Sequence, residues 1–351
     1  MKGNSMNPFP KIIKILPQII LSLTLLIFAI SIKTVQSQYT LTLTVSTNKE
    51  QYAFKDNVYI NGTLTWQPIN SPVRGSLIAI EIRDPANLPI LFRTQITAGA
   101  TPTQEWQVNF TKLYPCDSNG NPKYTFKIGA SLYIFFEAKN FDTINAHTVT
   151  FCITLFDSTN TPIGAWYPRT TTLQPNTSTS VLFWAGKIPA IAATGVATIY
   201  ANAFSDLPMN GGYPYCPEKT ATLTITTSTS SLTASVQTTT QKTETTLTDG
   251  AYELAFKIPK SDINLGNYTI YTAAHKDGQT ATANKKFKII LLGDINGDKV
   301  VDIYDALRLS AAFGTKIGDP KYDPNADLNS SGKIDIYDAL ILSAHFGEKA
   351  A

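Results

Sequence analysis

The 351-residue chain contains three histidines, three cysteines and three methionines, and charged residues make up only 16 % of it. So few histidines leave little material for histidine-based catalysis. The net charge of +3 is too small for a nucleic-acid-binding surface, so we expect no nucleic-acid partner. The composition is instead rich in Thr, Ser, Asn and Tyr.

Sequence motifs of common enzymes are also missing. There is no G-x-S-x-G elbow, no phosphate-binding loop and no H-E-x-x-H metalloprotease motif. Outside the last sixty residues, the carboxylates Glu81, Asp84 and Glu137 are isolated from one another, and Glu81 lies on an alternating strand where it is expected to face solvent. We therefore expect a protein that is not an enzyme.

The N-terminus has the pattern of an export signal. Three lysines, Lys2, Lys11 and Lys14, precede an apolar run over residues 15–32, and Val35-Gln36-Ser37 follows as a cleavage site. This predicts a signal peptide over residues 1–37. The alternative is an uncleaved N-terminal anchor, although the unbroken apolar part, residues 19–32, is short for a bilayer of about 30 Å. Both alternatives place the protein outside the cytoplasm or at the cell surface.

Export would permit disulfides and glycosylation. Cys116 and Cys216 lie in turn-like segments, whereas Cys152 lies within the apolar run TVTFCITLF. We therefore predict a Cys116–Cys216 disulfide and a buried free thiol at Cys152. N-x-S/T sequons occur at Asn61, Asn109, Asn176 and Asn267.

From Tyr39 to about Ile290 the apolar residues alternate with polar ones. Short runs such as YTLTLTVS, VYINGTLTW and NYTIYTAA are rich in Val, Ile, Thr and Tyr, and turn-forming residues separate them. This pattern predicts a mainly β protein made of immunoglobulin-like antiparallel β-sandwiches, followed by a small all-α module.

Composition and turn signals suggest where the modules begin and end. We predict a sandwich module over residues 39–110, a second, Cys-stapled sandwich over 111–226, a Thr/Ser-rich linker over 227–248, strands over 249–290 and a distinct module over 291–351. The segments YAFKDNVYING and DGAYELAFKIP resemble the front and back halves of a macroglobulin-like sandwich. That resemblance implies a second module inserted into the first; the alternative is three domains in a row.

The C-terminal region repeats one acidic segment, GDINGDKVVDIYDALRLSAAFG and DLNSSGKIDIYDALILSAHFG. In each copy, oxygen-bearing residues stand at positions 1, 3, 5, 9 and 12 of a twelve-residue loop, and position 7 offers its backbone carbonyl. This is the spacing by which a loop wraps Ca²⁺. The predicted ligands of the first loop are Asp294, Asn296, Asp298, Val300, Asp302 and Asp305. Those of the second loop are Asp327, Asn329, Ser331, Lys333, Asp335 and Asp338.

Each loop departs once from the usual pattern. The first has Lys299 at position 6, where a positive φ normally calls for glycine, and the second has the neutral Ser331 at position 5. The alternative is a pair of solvated acidic turns without metal. From Leu291 onward the chain has ten acidic and six basic residues. Without metal, the carboxylates of each loop would repel one another, so we expect the module to fold with calcium.

A helix is predicted after each loop and none before it. Ala306, Leu309 and Phe313 share one helical face, and Ala339, Leu342 and Phe346 repeat that face. Gly314 and Gly347 are stop signals. We expect Leu309 and Phe313 to pack against Leu342 and Phe346, because one loop and one helix cannot bury an apolar face alone.

The tandem loop–helix arrangement resembles a type I dockerin. The resemblance rests on GDINGDKVVDIYDAL and DLNSSGKIDIYDAL and implies two Ca²⁺ sites and docking onto a cohesin-like extracellular protein. That family usually carries small hydroxylated residues at loop positions 10 and 11, which contact the partner. Here those positions are Ile303-Tyr304 and Ile336-Tyr337, which favour an apolar contact. The upstream modules resemble those that accompany dockerins in archaeal surface proteins.

A second possible function is glycan binding by the β-sandwiches, in which aromatic side chains stack on sugar rings. The candidates are Trp66, Trp106, Trp166, Trp184, Tyr213 and Tyr215. The competing interpretation is that these rings belong to the hydrophobic cores; Trp184, at the end of the apolar run SVLFW, is expected to be buried.

Overall fold

The computed structural model describes residues 39–101, 106–227, 247–261, 263–329 and 331–350. The predicted signal peptide, 1–37, and nearly all of the Thr/Ser tract, 227–248, lie outside these ranges. Neither helix in the described part of the chain has the length and apolar character needed to span a bilayer.

The described chain is mainly β, with two helices near its C-terminus, which confirms the predicted fold class. The first strands are β1 Thr40–Leu43, β2 Ser46–Thr47, β3 Gln51–Tyr52, β4 Asn57–Gln67, β5 Ser71–Pro72, β6 Leu77–Arg83 and β7 Pro89–Ile96. The next are β8 Val108–Cys116, β9 Thr125–Lys127, β10 Ser131–Asn140, β11 His147–Phe156, β12 Pro162–Leu173, β13 Ser178–Lys187, β14 Gly195–Phe204 and β15 Lys219–Thr226. The last are β16 Ala251–Lys257, β17 Gly266–Lys276 and β18 Gln279–Ile289, followed by helices α1 Ile303–Ala312 and α2 Ile336–His345.

The first sandwich combines strands from both sides of the middle segment. One sheet has the order β1-β4-β16, with β2 and β5 also paired to β4, and the other has the order β3-β18-β17-β6-β7. Leu254 of β16 lies opposite Ile60 of β4, and Thr272 of β17 lies opposite Ile80 of β6. The apolar residues of both sheets form one core. Strands before residue 97 and after residue 250 therefore complete one another.

The second sandwich lies between those halves in sequence. Its sheets have the orders β13-β10-β8 and β12-β11-β14-β15-β9, and they enclose a separate core. Phe110, Phe136 and Phe151 are in mutual aromatic contact at its centre, with ring centroids 4.9–5.7 Å apart. These rings join the two facing sheets, because Phe110 and Phe136 come from one and Phe151 from the other.

Polar contacts join the two sandwiches through β7. The Phe92 amide donates to Thr154 Oγ1 at 2.8 Å, and Thr94 Oγ1 donates to Asn202 Oδ1 at 2.8 Å. Arg93 forms a bidentate ion pair with Glu218 at 2.8 and 2.6 Å. Since these groups are largely removed from water, their pairing fixes one sandwich against the other.

The prediction that Glu81 faces solvent is wrong. Glu81 is fully buried, pairs with Arg83 at 2.6 Å and accepts a hydrogen bond from the Met209 amide at 2.9 Å. Burial raises the pKa of its carboxyl, against the effect of those two partners. All seven residues of β6 are buried because its sheet packs on its own sandwich on one face and is covered on the other.

The predicted Cys116–Cys216 disulfide is also contradicted, because all three cysteines are buried and free. The Cys216 sulfur lies within hydrogen-bonding reach of the Phe110 backbone, and Phe110 and Cys116 stand six residues apart on β8. That separation is about 20 Å along an extended strand, whereas a disulfide needs Cα atoms about 5.5 Å apart. Burial raises the pKa of the Cys116 thiol to about 11.

Trp184, predicted to be buried, is 58 % exposed. On β13 the side chains of Val181, Phe183 and Ala185 point toward the core, so Leu182 and Trp184 point outward. The apolar run therefore has apolar residues on both faces of the strand, and this hides the alternation from which burial is predicted.

We predict that Glu218→Ala lowers the free energy of unfolding by about 3 kcal/mol, because it leaves the Arg93 guanidinium buried without its partner. The matched control is Glu137→Ala, whose pair with Lys112 at 3.2 Å lies at the surface and is expected to matter far less. Urea unfolding of the full chain measures both changes. Equal losses in the two variants would contradict the role assigned to the Arg93–Glu218 pair.

Candidate functional site

The two repeated units at the C-terminus exchange backbone hydrogen bonds with each other. Val301, at position 8 of the first loop, donates to Glu348 O and accepts from Gly347 N, both at 2.8 Å, just after α2. Ile334, at position 8 of the second loop, donates to Thr315 O at 2.9 Å and accepts from Gly314 N at 2.8 Å, just after α1. Each loop is thus held by the end of the other unit's helix.

The apolar side chains at the same positions fill the interior between the two units. Val301 and Ile334 are completely buried, and Leu309 and Leu342 are nearly so. Gly314 and Gly347 have φ of 81° and 83°, a backbone conformation that would be strained for a residue with a side chain. This confirms the two glycines as stop signals.

The predicted burial of Phe313 and Phe346 is wrong. They are 50 % and 55 % exposed, and each is the C-cap residue of its helix, with an extended backbone near φ −60° and ψ 135°. The buried helical face that carries Leu309 in α1 and Leu342 in α2 therefore ends before Phe313 and Phe346. The packing between the units comes from the leucines and from Val301 and Ile334 instead.

Each helix begins in a capping box formed by two predicted ligands. Asp302 accepts from Tyr304 N at 2.8 Å, and Asp305 accepts from Asp302 N at 2.8 Å. Asp335 and Asp338 repeat these contacts in the second unit at 2.9 Å each. Positions 9 and 12 of each loop therefore fix the first turn of the helix.

The position 12 carboxylates also close their loops. Asp305 is fully buried and its Oδ1 accepts from the amides of Ile295 at 2.8 Å and Asn296 at 3.0 Å. Asp338, also fully buried, accepts from the Asn329 amide at 3.2 Å. The carboxylate at position 12 thus contacts the backbone at the start of its own loop.

Positions 1, 3 and 5 face the loop's own amides. Asp294 accepts from the amides of Gly297, Asp298 and Lys299 at 2.7–3.0 Å. In the second loop Asp327 accepts from Ser331 and Gly332 at 3.0 and 2.8 Å. The Tyr322 hydroxyl also donates to Asp327 at 2.7 Å, and this hydrogen bond raises the pKa of Tyr322.

Lys299 confirms the positive φ expected at position 6. Its φ is 73°, beside 81° for Gly332 at the same position of the second loop. A side chain in this region costs on the order of 1 kcal/mol, which the first loop accepts in order to keep the same path as the second.

The donor set of each loop is one of hard oxygens. It comprises carboxylates, an amide, a backbone carbonyl and, in the second loop, a hydroxyl, without sulfur or imidazole; this is the chemistry that Ca²⁺ prefers. Among the described residues, no group of three or more His, Cys, Asp or Glu side chains is arranged to hold a metal by itself. Amide and carbonyl oxygens would thus have to complete each shell.

The surface opposite this interior is apolar. Ile303 and Tyr304 are 56 % and 63 % exposed, and Ile336 and Tyr337 are 57 % and 64 % exposed. Leu307 and Leu340 extend the same surface by one helical turn. We call these six residues the outer face of the module. Its two halves match because the same sequence occupies the same place in both units.

The inner side of the module packs on the first sandwich. Leu291, Ile295 and other buried residues of the module belong to the same hydrophobic core as Tyr52 and Phe54. Lys55 pairs with Glu348, which also contacts His345 Nδ1 at 2.9 Å. The module is thus continuous with the sandwich on one side and exposed on the other.

The predicted aromatic residues do not form one surface. Trp106, Tyr213 and Tyr215 line a common cleft between the sandwiches, whereas Trp66 packs against the first core and Trp166 against the second. Trp184 is on an outer sheet face.

The loop spacing, the capped helices and the hard-oxygen donors define a tandem calcium-type loop–helix module. Residues 292–347 match the family model of the dockerin type I domain. Dockerin domains as a family bind calcium and dock onto cohesin-type partners, and dockerin proteins are typically extracellular or at the cell surface.

Three solved structures are similar to parts of the chain, each at low sequence identity. A search of curated proteins found no match. The C-terminal domain of Wzt is 9 % identical, with a TM-score of 0.30, over 37 % of this chain and 86 % of that one. Bacteroides uniformis β-glucuronidase is 10 % identical, with a TM-score of 0.27, over 48 % of this chain and 26 % of its own. A Listeria innocua β-glucosidase is 13 % identical, with a TM-score of 0.23, over 34 % of this chain and 16 % of its own. Similarities this weak say nothing about function.

We predict that Leu309→Ala destabilises the module by about 2–5 kcal/mol, because it opens a cavity in the core shared with the first sandwich. The matched control is Phe313→Ala, which removes a larger but half-exposed side chain and is expected to cost less than half as much. Urea unfolding in calcium buffer, followed by the helical circular dichroism signal, measures both. A larger loss for Phe313→Ala would contradict the packing described above.

Proposed function

We propose that the C-terminal module binds two calcium ions and, in that state, docks this secreted or cell-surface protein onto another extracellular protein. The sandwiches act as a rigid, non-catalytic support. The observation that carries the proposal is the two-sided module: its inner side is used for packing on the first sandwich, while its outer face carries the same exposed Ile-Tyr pair twice. The dockerin family match supports both calcium binding and docking.

Calcium would be held by the predicted ligands at loop positions 1, 3, 5, 7, 9 and 12. The ion would neutralise carboxylates that otherwise repel one another. Asp302 and Asp335 cap the helices on which the Ile-Tyr pairs stand, so a loop held in shape also holds the outer face in shape. Calcium and partner binding are therefore coupled in this proposal.

We predict that the full chain binds two calcium ions and that Asp294→Asn and Asp327→Asn each abolish one site, because each removes a carboxylate charge from one loop. Isothermal titration calorimetry after chelator treatment measures the stoichiometry. Asp277→Asn, at an exposed turn outside the module, is the matched control and should still bind two. Two ions bound by the Asp294→Asn/Asp327→Asn double variant would contradict the assignment.

The outer face indicates the chemistry of the partner. Isoleucine and tyrosine at loop positions 10 and 11 offer apolar area with a phenolic hydroxyl at its edge. The partner surface should therefore be an apolar patch with hydrogen-bonding groups around it, in a cohesin-like or other extracellular protein. Paired residues on two helices allow the module to bind in two orientations related by a half-turn.

We predict that Ile303→Asp together with Ile336→Asp weakens calcium-dependent binding of the partner at least about tenfold, because each substitution places a charge in an apolar contact. The partner is isolated from the cell envelope with the full chain as bait. The matched control is Ile144→Asp, an 81 % exposed isoleucine of the second sandwich. Binding that survives chelator or the double variant, or that is lost with Ile144→Asp, would contradict the proposal.

A further inference from the structure

A cleft of about 280 Å³ lies where the two sandwiches meet. Trp106, Tyr213 and Tyr215 of the second sandwich line it together with His275 and Asp277 of the first. The described aromatic side chains there are half-buried, so each keeps part of its surface free. Clefts between domains are a common place for small-ligand sites, and this volume is near the lower end of their range.

Three aromatic rings of the cleft and one ring beside it form a continuous row. His275 stacks on Tyr213 with centroids 4.3 Å apart and planes inclined by 20°. Tyr213 contacts Tyr215 edge to face at 5.8 Å, and Tyr215 contacts His147 at 5.3 Å. The row crosses from one sandwich to the other, so the cleft exists only because the sandwiches are fixed against each other.

The tyrosines are held by a rigid corner of the chain. The Ser205 amide donates to the Tyr213 carbonyl oxygen at 2.9 Å, and Ser205 Oγ accepts from the Tyr213 amide at 3.0 Å. A side chain at Gly212 would collide with the Asp206 backbone, which shows how tightly the corner closes. A preformed wall of this kind binds a ligand without an ordering cost for the loop.

Polar groups surround the row of rings. Gln107 and Asp277 are exposed at the edge of the cleft, and Ser76 and Lys276 also line it. Lys276 and Asp277 offset each other in charge. Burial lowers the pKa of His275, which favours its uncharged imidazole. The lining therefore combines flat apolar surfaces, hydrogen-bonding groups and little net charge.

We propose that this cleft binds a neutral saccharide of one or two hexose units. A pyranose has an apolar face of C–H groups, which fits the rings of Tyr213 and Trp106, and an edge of hydroxyls, which fits Gln107 and Asp277. Such a site is distinct from the C-terminal docking module and does not need calcium. Its success or failure therefore leaves the docking proposal untouched.

Calorimetric titration of the full chain tests this inference with defined probes. Cellobiose, maltose, lactose and diacetylchitobiose represent neutral saccharides, and a sulfated disaccharide and a short aromatic peptide represent the other ligand classes. We expect at least one neutral probe to bind equally with and without chelator. Tyr213→Ala should weaken binding at least about tenfold, whereas Tyr213→Phe, which keeps the ring, should stay within about threefold of the parent.

Two further variants guard against a folding artefact. Gln107→Ala changes an exposed residue and should weaken binding without changing the unfolding midpoint. Trp184→Ala removes an exposed indole from the solvent-facing side of β13 and should leave binding unchanged. The inference is overturned if no neutral probe binds the parent chain, if the sulfated probe or the peptide binds better, or if Trp184→Ala abolishes binding while Tyr213→Ala does not.

Discussion

The C-terminal module depends on one reciprocal interaction, in which position 8 of each loop pairs with the chain that leaves the other unit's helix. Val301 and Ile334 make these pairs and bury their side chains at the same points. A single loop and helix would leave the backbone N–H and C=O of position 8 without these partners and its apolar side chain exposed to water. The repetition in the sequence is therefore a structural requirement: two copies are the smallest number that satisfy each other, and the paired outer face is a consequence of it.

The other parts of the chain also depend on one another for their packing. The module completes its core on the first sandwich, and that sandwich is built from strands on both sides of the second one. The second sandwich is tied back through the contacts of β7. Because each part packs on another, the outer face of the module and the cleft between the sandwiches have defined positions relative to the whole molecule.

What the sequence could predict was local in origin. The helices after the loops, the glycine stops and the positive φ of Lys299 all depend on residues within a dozen positions of one another. Burial depended on partners far away in sequence. Glu81 alternates like a surface residue, yet a second sandwich covers it, and Trp184 belongs to an apolar run, yet points outward. The gathering of Trp106 with Tyr213 likewise comes from the strand order, which no local pattern encodes.

Hydrogen–deuterium exchange of the full chain, with calcium and then with chelator, tests most directly whether calcium holds the module together. We expect the amides of Val301 and Ile334 and those of both helices to be protected with calcium and to lose protection with chelator. Amides in the interior of β4 and β17 should stay protected in both conditions, because their ladders lie within the first sandwich. Protection of Val301 and Ile334 that is the same in both conditions would contradict a calcium-dependent module.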